Sequence, residues 1–90
     1  MKAIRFDAPG DASAMHLAEV ETPAPGAQQI RVRHHAIGVN FIDTYHRSGL
    51  YKVPLPSGLG MEAAGVVDAI GEGVSRFRVG DRVAYSSGPI

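Results

Sequence analysis

A mainly β fold, a partly open barrel with one short helix, is what this sequence predicts. Three observations predict it. Short runs of alternating or β-branched residues recur along the chain, each closed by Gly or Pro. A single segment, Asn40 to Gly49, carries helix signals at both ends. The stretch Gly58 to Val83, "GLGMEAAGVVDAIGEGVSRFRVGDRV", sets a β-rich apolar run between glycines, and the other elements are arranged around it.

Taken in order, Met1 to Phe6 alternates, with Ala3 and Arg5 on one face and Ile4 and Phe6 on the other, as a short strand does. Ala8 to Ser13, "APGDAS", reads as a turn, and Met15 to Glu21 as a weaker strand. Thr22 to Gln29 holds Pro23, Pro25 and Gly26 and is a connector. Ile30 to Ile37 is the clearest strand of the first half, with Ile30 and Val32 toward the core and Arg31 and Arg33 toward water. In the helix, Asn40 is placed to cap the first turn. Asp43 and Arg47 suit the two dipole ends and are spaced as a surface pair. Gly49 is the left-handed stop, and Phe41 and Tyr45 share a face. The loop "LYKVPLPSGLG" follows. A strand at Ala63 to Ile70, a turn at Gly71 to Val74, an extended piece near Arg76 to Val79 and a return strand at Asp81 to Tyr85 complete the reading. The Gly80-Asp81 pair is the turn signal before that last strand.

Ninety residues suit one small domain. Nine basic residues balance nine acidic ones, which argues against nucleic acid or an anionic membrane as partner, since both need a basic footprint. Without cysteine there is no disulfide and no thiolate metal site. The opening "MKAIRFDAPG" lacks the apolar run of a signal peptide, so the expected location is cytoplasmic.

Several residues invite a chemical reading. Gly58 to Ala63 matches the G-x-G-x-x-A form of the dinucleotide fingerprint. That fingerprint needs a strand before it and a helix after it, and here a Pro-rich loop precedes and a Val-rich strand follows. His34 and His35 look like a metal pair, but neighbours on a strand point to opposite faces. His16 and His46 have no ligand spacing. Glu62, set among small and apolar residues, is either a carboxylate with a shifted titration or one that holds backbone groups of its own loop.

The stretch "AIGVNFIDTYHRSGLYKVPLPSGLGMEAAGVVDAIGEGVSRFRVGDRVAY" resembles the N-terminal part of the medium-chain dehydrogenase/reductases. Within them it is most similar to the zeta-crystallin-like NADPH:quinone oxidoreductases. "NFIDTYHRSGLY" is the specific portion, and the glycine frame with "GDRV" is shared across the superfamily. The resemblance implies a GroES-like β-barrel, residues 1–90 being its N-terminal part, beside a Rossmann NADPH-binding domain that this chain does not contain. It implies hydride transfer from NADPH to a quinone or related enone.

Zinc-dependent relatives place Cys and His ligands where this sequence has Asn40 and Met61, both poor zinc ligands, so the resemblance is to the zinc-free branch. Carried over by position, the nicotinamide-side contacts fall on Phe41, Ile42, Asp43, Thr44 and Tyr45. The catalytic candidates are Asn40, Tyr45 and Tyr51. The tyrosines offer flat faces for a quinone ring and hydroxyls for its carbonyl oxygen. Structural roles stand beside these: Asn40 as cap, Asp43 as the Arg47 partner, Phe41 as core. The ninety residues alone are expected to be inactive and, with strand edges unpaired, to associate, as in a homodimer. Two other classes of function stay open, a GroES-like partner-binding module without enzymatic activity and an RNA-binding module.

Overall fold

The computed structural model describes residues 1–87. Six strands and one α-helix follow in order: β1 (Lys2–Phe6), β2 (Met15–Glu19), β3 (Ile30–Ile37), α1 (Phe41–Ser48), β4 (Ser57–Gly58), β5 (Ala63–Ile70) and β6 (Arg82–Tyr85). They form two antiparallel three-stranded sheets, β2-β1-β4 and β3-β5-β6. The body measures 41 × 23 × 20 Å. The expected mainly β, open architecture with one helix is the architecture observed.

In the first sheet, β1 runs against β2 from Lys2↔Glu19 to Phe6↔Met15. A 3₁₀ turn at Ala12–Ala14, capped by Asp11, joins them. On its other edge β1 meets only the two residues of β4, Arg5↔Gly58 and Phe6↔Ser57. That short strand decides which face residue is covered. Ile4 and Phe6 point to the same side, as the alternation predicts, yet Phe6 is fully buried and Ile4 is exposed. β4 reaches Phe6 and stops before Ile4.

The second sheet is longer and more constrained. β3 and β5 pair from Ile30↔Ile70 to Ile37↔Ala63, with two register shifts. One skips Asp68 and the other skips His35, each leaving two residues facing one on the partner, as a β-bulge does. Arg31 Nε donates to the bulged Asp68 Oδ1 at 2.8 Å, so the arginine expected to face water is half-buried in an ion pair. Gly65 lies opposite His34, where a Cβ would overlap the Arg33 carbonyl; only glycine lets the two strands come this close. The small core of the described residues is Phe6, Ala63 and Val67.

Two connections differ from the sequence reading. Arg76 to Val79 joins no strand; instead Asp81 Oδ2 accepts from Arg78 N–H at 3.0 Å and Gly80 takes φ 98°, a tight turn into β6. The loop after α1 holds β4, which Pro54 and Pro56 conceal in the sequence.

Candidate functional site

The site candidates lie on α1 and the loop that follows it. Two polar ties hold the helix. At its start, Asp43 Oδ2 accepts from the Asn40 N–H at 2.9 Å, while Asp43 N–H donates to the Asn40 backbone carbonyl at 3.0 Å. Asn40 is the N-cap, as expected, and forms a capping box with Asp43, whose carboxylate supplies the reciprocal bond to the Asn40 backbone. At its end, Gly49 adopts φ 87°, and Arg47 is bound to the N-terminal loop. Arg47 Nε donates to Gly10 O at 3.2 Å and Gly10 N–H to Arg47 O at 2.9 Å. The expected Asp43–Arg47 pair does not form among the described residues. A carbonyl 37 residues earlier in the chain claims the guanidinium instead.

Burial on this segment is inverted. The one buried residue of α1 is Asp43, 7% exposed. The apolar residues around it stay outside: Val39 is 87% exposed, Phe41 83%, Tyr45 38% and Tyr51 51%. Phe41 is therefore not a core residue. Ile42 and Thr44 are half-buried, and Thr44 Oγ1 donates to Phe41 O at 2.6 Å.

The fold brings Tyr45 and Tyr51 together. Their rings meet edge to face with centroids 5.4 Å apart, and Tyr51 N–H donates to Tyr45 O at 3.2 Å. His46 joins them, its ring 6.3 Å from that of Tyr51. Among the described residues neither tyrosine hydroxyl makes a hydrogen bond. The pair offers an aromatic face with two free phenol donors. In the sequence His46 was weighed only as a metal ligand, and its place beside the two tyrosines was missed.

Elsewhere the geometry answers the remaining candidates. The G-x-G-x-x-A stretch runs from β4 into β5, with no helix N-terminus to meet a phosphate. His34 is half-buried and its Nε2 lies 3.0 Å from the Tyr85 hydroxyl; His35 is exposed at the bulge. Gly65, which pairs with His34 on one side and Val83 on the other, has no side chain to stand between His34 and Tyr85. That contact has a sequence signal, a glycine inside a strand. Burial pushes the Tyr85 phenol above its usual value. The Glu62 carboxylate packs on Gly38, where a Cβ would collide with it, and Gly38 N–H donates to Glu62 O at 3.2 Å. Glu62 thus holds the exit of β3 and not its own loop. An open cleft of about 670 Å³ lies there, lined by Gly38, Glu62, Ala64, Ala84, Tyr85 and Ser86 among others. No group of three or more His, Asp or Glu among the described residues is placed to share a metal ion. No helix among them is long and apolar enough to cross a membrane.

Known proteins share this arrangement. A quinone oxidoreductase of Pseudomonas aeruginosa is 54% identical over 90 residues, covering 99% of this chain and 28% of its own length. Among solved structures, a quinone oxidoreductase of Pseudomonas syringae superposes with a TM-score of 0.94 at 57% identity, over 99% of this chain and 28% of that one. The Escherichia coli quinone oxidoreductase complexed with NADPH also gives 0.94, at 46% identity, over 97% of this chain and 27% of that one. The chain thus spans about a quarter of the length of these relatives. Residues 26–88 match the model of the alcohol dehydrogenase GroES-like domain, and the chain belongs to that family.

Proposed function

We propose that this chain is the N-terminal part of the catalytic domain of a zinc-free, NADPH-dependent quinone oxidoreductase. In this reading the Rossmann domain that binds most of the nucleotide lies outside residues 1–90. The observation that carries it is the aromatic face of α1 and its loop, left uncovered in a chain about half identical to quinone oxidoreductases along nearly its whole length.

The residues present fit the nicotinamide end of the cofactor and not its phosphate end. Asn40 lies at an exposed position at the head of the helix, and Phe41 presents an open ring beside it in sequence. The phosphate-binding turn is missing from the glycine stretch. When bound, NADPH supplies a hydride, and with one proton the quinone becomes a hydroquinone. Tyr45 and Tyr51 hold the flat substrate and donate to its carbonyl oxygen, where negative charge develops. Asn40 orients the reacting partners through its amide, and Phe41, Ile42 and Thr44 shape the surrounding surface. Since Asn40 and Met61 are poor zinc ligands, positioning takes the part a Lewis acid plays elsewhere. An enone, with its conjugated carbonyl, fits the same donors. An edge strand such as β2 supports a homodimer, and the reading assigns the protein to the cytoplasm.

The test uses the complete protein, with loss of NADPH absorbance followed on addition of benzoquinone. The expected result is NADPH-dependent reduction that falls about tenfold to a hundredfold in Tyr45→Phe and Tyr51→Phe, the loss of one hydrogen bond made in the transition state. Elemental analysis is expected to show less than one zinc per chain. A protein that leaves benzoquinone unreduced, or both variants at parental rate, overturns the reading.

A further inference from the structure

We infer that Asp43 is a positioning residue for Asn40, fixing it through the single hydrogen bond that the Asp43 carboxylate makes. This rests on the proposed role of Asn40. Oδ2 accepts from the Asn40 N–H at 2.9 Å. Oδ1 is buried and has no partner among the described residues. The cation that the spacing offers, Arg47, is turned to the Gly10 carbonyl. A buried carboxylate gains most from the hydrogen bonds it makes, and the one that Asp43 makes within the described residues is to Asn40. Its polar capacity is directed to the backbone of the residue that precedes the helix.

The consequence is geometric. Asn40 is exposed, with extended backbone at φ −128° and ψ 160°, and it is the N-cap of a capping box closed by Asp43. The N–H bond to Asp43, with the return bond from Asp43 N–H to the Asn40 carbonyl, holds the Asn40 backbone from both ends. The direction in which the amide leaves the chain follows from that backbone. Asp43, at 7% exposure, acts on Asn40 from inside the turn.

Three measurements on the complete protein test the assignment. In the unmodified protein the Asn40 amide, on an exposed residue, is expected to exchange with solvent slowly; exchange at the rate of a free loop overturns the link without any variant having to fold. Asp43→Asn keeps an acceptor and is expected to retain that protection and turnover within about threefold of the parent. Asp43→Ala removes the acceptor, and NADPH affinity and kcat are expected to fall, kcat by about tenfold to a hundredfold, the scale of a misplaced reacting group. In an Asn40→Ala background the same Asp43→Ala change is expected to cost less than about twofold, because its effect runs through Asn40. A folded Asp43→Ala protein at parental kcat, or full additivity with Asn40→Ala, refutes the assignment. Should the parent reduce no quinone, the functional reading falls, while the exchange rate and the NADPH affinities still decide the Asp43–Asn40 link.

Discussion

The sheet β3-β5-β6 and the helix α1 place their residues by opposite rules. In the sheet the buried residues are apolar or small, Val67, Ala63 and Gly65, the last because β3 lies against it, while Ile37 and Ile70 at the strand ends are exposed. On the helix the acid goes inside and the aromatics stay out. Hydrophobic burial therefore positions the sheet, whereas the helix is held by polar ties at its two ends, Asp43 to Asn40 and Arg47 to Gly10. Among the described residues this leaves the apolar face of the helix uncovered. That face is where the proposed site lies.

The largest effect should come from the buried side. Phe6→Ala empties a fully buried position next to β4 and is expected to cost about 3–5 kcal/mol in a urea unfolding experiment, a large share of a small domain's stability. Phe41→Ala, the same change on the exposed face, is expected to stay within about 0.5 kcal/mol. Equal losses at the two positions would break the contrast between buried strand positions and the exposed face of the helix.

The polar ties come next in size. Arg47→Met preserves much of the side-chain bulk but removes the donor to Gly10 O, and about 1 kcal/mol of stability should go with it. Faster amide exchange at Gly10 is the accompanying sign, since its N–H is bonded to the same residue. A stability unchanged by Arg47→Met would mean that the helix C-terminus is held in another way.

Smallest is a pH effect on the sheet. Burial raises the Tyr85 phenol above its unfolded value of 10.0, because the charged phenolate is the form that burial disfavours. The folded state then binds the proton more tightly than the unfolded one. Its contribution is fully present below pH 10.0 and is lost as pH climbs through the higher folded value. Unfolding titrations should show this alkaline decline weakened in Tyr85→Phe, and an identical decline in both proteins would assign it elsewhere.

How much of this was legible in the sequence follows the same division. β3 and β5 have the limits their composition predicts, and β6 begins one residue later than expected. β-branched runs between glycines are local signals, and long strands obey them. The bulges at Asp68 and His35 were not legible, because register depends on the partner strand. β4 was hidden by its prolines and exists only through pairing with β1. On the helix the limits and the glycine stop were readable, but the partners of Asn40, Asp43 and Arg47 were not. Four-residue spacing offers Arg47 to Asp43; the tertiary fold offers it the Gly10 carbonyl, and the fold prevails. The Tyr45–Tyr51 contact likewise depends on the path of the loop after Gly49, which no periodicity encodes.

The central claim, that the aromatic face of α1 and its loop serves contact and not folding, is tested most directly by one paired measurement. The Tyr45→Phe/Tyr51→Phe double variant of the complete protein is compared with its parent for unfolding free energy and for NADPH-dependent benzoquinone reduction on the same preparation. The account predicts stability within about 0.5 kcal/mol of the parent, with turnover lowered at least about tenfold. Stability reduced by about 2 kcal/mol or more, with turnover unchanged, would contradict it and make the two tyrosines part of the fold.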